Sequence, residues 1–96
     1  MPIKKIIQRT KRFEKAFAKL NSKIQKLFIR KLDFFIDDEY APSLKTHRLK
    51  GKRQHEHSFW ITDDIRAIYI KKILKKEKVF VFTFIDIGGH SRVYNE

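Results

Sequence analysis

The sequence predicts an α+β fold of order β-α-α-β-β-β, with a helical hairpin packed on one face of a small, mainly antiparallel sheet. Three observations carry this expectation. Apolar residues recur at helical spacing between residues 10 and 36. After residue 54 the pattern changes to β-prone runs separated by polar breaks, and Gly and Pro together number only five.

Ile3, Ile6 and Ile7, set among lysines, mark a short first strand. Thr10 caps a helix whose apolar positions Phe13, Phe17 and Leu20 are spaced i, i+4, i+7. Asn21-Ser22 interrupts it, and Ser22 followed by Gln25 reads as a capping box for a second helix. That helix is expected to bury Ile24, Leu27, Phe28, Leu32, Phe35 and Ile36. It fades near Glu39, because Ala41 precedes Pro42 and is biased away from helical backbone. A basic loop over 43–54 leads to strands at 55–61, 65–72 and 78–87, with hairpin turns at Asp63-Asp64 and Lys75-Lys76-Glu77-Lys78. The run Val79 to Ile85 is almost wholly apolar, as a strand covered on both faces requires. The sheet face away from the helices is left to hold a site.

Ninety-six residues are enough for one domain, 1–96, built on one core. The absence of Cys excludes disulfides, Cys-ligated zinc and thiol catalysis. No apolar run approaches the roughly 18 residues of a membrane span, and Met-Pro-Ile-Lys-Lys lacks the apolar stretch of a signal peptide, so a cytoplasmic chain without a membrane partner is expected.

The net charge is +12, beyond the magnitude of about 2–8 that solubility asks of a small domain. Residues 1–32 hold 11 Lys/Arg against Glu14 alone, whereas 33–42 are acidic. Such a density repels itself unless a polyanion screens it, and each phosphate neutralised by a cation releases counterions. The expected partner is a nucleic acid or an acidic protein. The helical cations Lys11, Arg12, Lys15, Lys19, Lys23 and Lys26 face either RNA or solvent on this reading.

Four histidines occur, at 47, 55, 57 and 90. His55 and His57 would share a strand face, but two His at period 2 in a polar segment are more often surface residues than metal ligands, so neither metal nor cofactor is expected. His47 lies in the basic loop, and His90 follows Gly88-Gly89 at the exit of the most apolar strand. Arg66 stands inside a strand, where an unpaired charge is costly. It either pairs with Asp64, Asp86 or Glu56 or presents a rigid guanidinium to phosphate. Imidazoles, an Arg and flanking lysines are what acid–base cleavage of RNA needs. A base takes the 2′-hydroxyl proton, cations hold the growing phosphoryl charge, and an acid protonates the leaving 5′-oxygen. The nucleophile belongs to the substrate, so no metal is required to generate it.

The loop His47-Arg48-Leu49-Lys50-Gly51, the strand Asp64-Ile65-Arg66-Ala67-Ile68-Tyr69 and the ending Asp86-Ile87-Gly88-Gly89-His90-Ser91-Arg92-Val93-Tyr94, in this element order, resemble the RelE/ParE toxin superfamily, and within it the YafQ-type mRNA interferases. The resemblance implies a toxin of a type II toxin–antitoxin system, a ribosome-dependent endoribonuclease acting on mRNA. Its implied partners are a cognate acidic antitoxin, mRNA and the ribosome with its 16S-type rRNA. Carried over by position, His47 is the general base, Arg66 steadies the scissile phosphate, His90 is the general acid and Tyr94 helps place the RNA base. Asp64 orients a neighbouring side chain. Trp60 stands where that branch carries another catalytic His, which leaves His57 as an alternative base and Trp60 as a platform for a stacked base. Lys50, Lys52 and Arg53 are the implied phosphate-positioning residues. The rival readings are an inactive RNA- or partner-binding module and a ParE-like gyrase inhibitor, against which His90 counts.

Overall fold

The computed structural model describes residues 4–94. Strand β1 (Lys4–Arg9) enters helix α1 (Lys11–Ala18), and α2 (Ser22–Asp37) follows. A 3-10 turn at Pro42–Leu44 leads to the two-residue β2 (His47–Arg48), and a second at Gly51–Arg53 leads to β3 (Glu56–Trp60). Strands β4 (Ile65–Leu74) and β5 (Val79–Gly89) form the long hairpin, and a short helix α3 (His90–Tyr94) ends the described chain. The sheet order is β1-β5-β4-β3-β2; among the described residues only β1 and β5 pair in parallel. The α+β architecture and the six expected elements are present; β2 and α3 are additions. Ile3, expected in the first strand, lies outside the described residues.

The helix starts follow local chemistry. Thr10 Oγ1 accepts from the Phe13 N–H at 3.1 Å, as its position before the apolar repeat implies. The second cap falls one residue earlier than expected: Asn21, not Ser22, accepts from the Ile24 N–H at 2.9 Å. Gln25 closes no capping box; its amide reaches back to the Phe17 carbonyl at 3.0 Å and ties the two helices together.

An aromatic core joins the hairpin to the sheet. Phe35 packs against Phe82 and Tyr69 with ring centroids 4.9 and 5.0 Å apart, and Phe28 against Phe13 at 5.5 Å. Such pairs contribute about 0.5–1.5 kcal/mol each beyond area burial. Ile36 does not join them: it is 40% exposed, on the flank of α2. Along β5 the cover on both faces expected for Val79 to Ile85 is not found: Val79, Phe82 and Phe84 are buried, but Phe80, Val81, Thr83 and Ile85 are only half-buried, and consecutive burial comes beyond them, at Asp86, Ile87 and Gly88. A bulge explains the change. Ile68 pairs with Asp86 but Tyr69 with Phe84, so Ile85 is the extra residue. Phe84 and Ile87 therefore both face the core, and Asp86 turns to the opposite side, under α3.

Candidate active site

The face away from the hairpin carries the residues of interest at its β3–α3 end. Strand parity selects them. His47 pairs with Ser58, Ser58 with Ile68, Trp60 with Arg66, and Ile68 with Asp86, so these side chains share one face. Helix α3 lies across part of that face with Val93 buried beneath it.

Tyr94 is the hub. Its hydroxyl hydrogen-bonds Ser58 Oγ, a group 0% exposed. The His90 ring meets the Tyr94 ring edge-on at 4.7 Å between centroids, one helical turn away, and the His47 ring meets it at 6.3 Å from the β2 side. Both imidazoles are exposed and border one phenol ring. His47 is turned by its own loop, with Nδ1 3.2 Å from the Lys45 carbonyl oxygen. The start of α3 is pinned by Asp64: the His90 N–H donates to the Asp64 carbonyl at 2.8 Å and lies 3.3 Å from its carboxylate. Asp64 thus holds the His90 backbone rather than its imidazole.

Arg66 is on the expected face but closed in. It is 4% exposed, and Nη1 donates to the Thr62 carbonyl at 2.8 Å. No carboxylate pairs with it among the described residues, and its buried Nε has no hydrogen-bond partner. The guanidinium instead stacks 3.9 Å from the centroid of Trp60, its cross-strand partner. Lys45 Nζ lies 4.0 Å from the same centroid. Lys45 lies two residues before β2, and Arg66 is the residue of β4 paired with Trp60. Trp60 is therefore engaged by two cations. Sequence reasoning missed Lys45, because its placement depends on a left-handed backbone (φ 50°) that nothing in the sequence marks. It also missed Ser58, whose signal was its period-2 spacing from Trp60.

Two expectations need correction on position. Arg53 does not reach into the cleft: it pairs with Glu56 at 2.7 Å and donates to the Val93 carbonyl, clamping the end of α3. Lys50 and Lys52 remain exposed on the neighbouring loop. His57 lies on the hairpin side of the sheet, stacked on Tyr69 at 5.2 Å, across the sheet from His47 and Ser58. Its Nδ1 is buried without a partner. Burial holds the imidazole below its ordinary pKa, opposed by Glu39 and reinforced by Lys71, Arg48 and His47. His55 lies in the turn before β3, and no group of three or more His, Asp or Glu able to hold a metal occurs among the described residues.

Under the loop that delivers His47 sits a second polar cluster. Glu39 accepts from the Tyr69 hydroxyl at 2.5 Å and from Lys71 Nζ at 2.7 Å, and its carbonyl accepts from Thr46 Oγ1 at 2.7 Å. Burial, together with the Glu39 carboxylate, pushes the Tyr69 hydroxyl far above its usual pKa. The Glu39 end of the loop 39–47 is thereby tied to the core, and Thr46 closes the other end back onto Glu39.

On the other side of α3, Asp86 is 3% exposed and is bracketed by Arg92 at 2.7 Å and Arg12 at 3.1 Å. Gly88 makes this possible, since a Cβ there would come within 2.5 Å of the Arg92 guanidinium.

No family model and no curated protein sequence matches the chain. Solved structures do. A YoeB/ParE toxin from Agrobacterium tumefaciens superposes with a TM-score of 0.73 at 15% identity, over 88% of this chain and 98% of that one. YafQ from E. coli gives 0.68 at 16% identity over 96% and 100%. A chain of an archaeal RelE–RelB complex from Pyrococcus horikoshii gives 0.67 at 17% identity over 94% and 99%. The chain has the RelE/ParE toxin fold, close to that of YafQ.

Proposed function

We propose that this chain is the toxin of a type II toxin–antitoxin pair, cutting mRNA on the ribosome by internal attack of a ribose 2′-hydroxyl. The observation that carries this reading is the pair of exposed imidazoles, His47 and His90, bordering Tyr94 on a cationic sheet face. His47 takes the 2′-hydroxyl proton as the 2′-oxygen–phosphorus bond forms. His90 donates a proton to the 5′-oxygen as the phosphorus–oxygen bond breaks. The products are a 2′,3′-cyclic phosphate and a 5′-hydroxyl. The nucleophile comes from the substrate, so the step asks for no metal. Lys45, Lys50 and Lys52 neutralise phosphate at the surface, and Arg66 adds its charge from beneath, through the Trp60 stack. With Trp60 engaged, placing the RNA base falls to Tyr94. An acidic antitoxin fits the +12 charge and the existence of a RelE–RelB complex on this fold.

Primer extension on translated mRNA tests the reading. Wild type is expected to give discrete stops that His90→Ala and His47→Ala lose; equal cutting by both variants would refute the assignment. The closed Arg66 favours one second reading, an inactive binding module on the same fold, for which wild type itself would give no stops.

A further inference from the structure

Helix α3 separates two surfaces. His90 and Tyr94 share the side that meets Ser58 and His47, while Arg92, two residues on from His90, turns to the opposite side and reaches Asp86 and the Ile87 carbonyl. On that opposite side a groove of 570 Å³ runs between α3 and α1. It is lined by Ala16, Leu20 and the Gly88-Gly89 backbone, with Arg92 packed over Gly88, and by Arg12, Lys15 and Lys19 against a single carboxylate, Asp86.

Asp86 is already taken by Arg12 and Arg92. Lys15 and Lys19 are exposed, and among the described residues no carboxylate lies within ion-pair distance of either. They stand one turn apart on the α1 face that lines the groove, about 6 Å along the axis, a step that successive phosphates of an extended strand can meet. Apart from the doubly paired Asp86, no carboxylate among the described residues lines this groove. We propose that the α1–α3 groove is a second phosphate track for single-stranded RNA, holding the strand beyond the imidazoles with Lys15 and Lys19 as its two phosphate contacts. The inference rests on the preceding reading only in taking RNA as the polyanion.

The test uses a short 2′-O-methyl single-stranded RNA, which cannot be cut, and measures its affinity by fluorescence anisotropy across a salt series. Lys15→Glu/Lys19→Glu is expected to weaken binding at least about tenfold at low salt. It should also flatten the log-affinity against log-salt slope by about 1.4, or 0.7 per lost contact on a single strand. Lys23→Glu/Lys26→Glu, an equal charge change on exposed α2 positions, is expected to leave both within error. Equal losses for the two pairs would overturn the groove, leaving net charge alone. Unchanged RNA binding with lost binding of polyglutamate would also overturn it, assigning the groove to an acidic protein chain. A wild type that binds the probe through the groove yet cuts no mRNA would refute the cleavage mechanism and leave the track standing.

Discussion

His90 and Tyr94 sit one turn apart on α3 and meet edge to face at 4.7 Å, while the Tyr94 hydroxyl is fixed by the buried Ser58. The phenol therefore positions His90 and is itself positioned by the sheet. Tyr94→Phe keeps the ring but strands the Ser58 hydroxyl; thermal unfolding is expected to show a loss of about 1–2 kcal/mol, with cleavage close to wild type. Tyr94→Ala removes the surface on which both imidazoles rest, and single-turnover cleavage is expected to fall about 10²-fold.

Glu39 ties the His47 loop to the core through Tyr69, Lys71 and Thr46. Glu39→Ala leaves the Tyr69 hydroxyl and the Lys71 ammonium without their acceptor. Breaking a buried pair costs about 3–5 kcal/mol, but the Lys71 side chain is 20% exposed, so about 2–3 kcal/mol is expected by chemical denaturation. Glu39→Gln keeps an acceptor for Tyr69 and should recover part of this. With the loop loosened, the rate at saturating RNA is expected to drop more than the affinity.

His57 makes stability depend on pH. Its folded-state pKa lies below the unfolded value of 6.5 because burial disfavours the imidazolium. The unfolded chain then binds more protons near pH 6, so this contribution is full above 6.5 and is lost as pH falls through 6.5 toward the folded value. The melting temperature of wild type is expected to fall more steeply between pH 7 and pH 5 than that of His57→Phe, which keeps the stack on Tyr69. Parallel curves would contradict this.

The hairpin and the long strands were legible because their signals are local: Thr10 before an apolar repeat, and Val79 to Ile85 as a β-prone run. Asn21 and Ser22 are both good caps, so sequence alone could not choose between them. Helix α3 was missed because five residues carry no usable period. Such a helix is marginal alone and is held by tertiary contacts, namely buried Val93, the Arg92–Asp86 pair and the Arg53 clamp. Which of His47 and His57 shares a face with Ser58 turned on parity, because a slip of one residue sends a strand side chain to the other face; only the β2–β3 pairing shows it. Arg66 was placed on the right strand and face, but its Trp60 stack is a cross-strand contact that only the paired structure reveals.

The chemistry of the cut ends tests the central claim most directly. If His47 and His90 drive attack by the 2′-oxygen, the downstream fragment of translated mRNA carries a 5′-hydroxyl. It is then labelled by polynucleotide kinase without prior phosphatase, and wild type but not His90→Ala yields it. A downstream fragment that takes label only after phosphatase treatment would mean a 5′-phosphate, water as nucleophile, and a different mechanism from the one derived from this site.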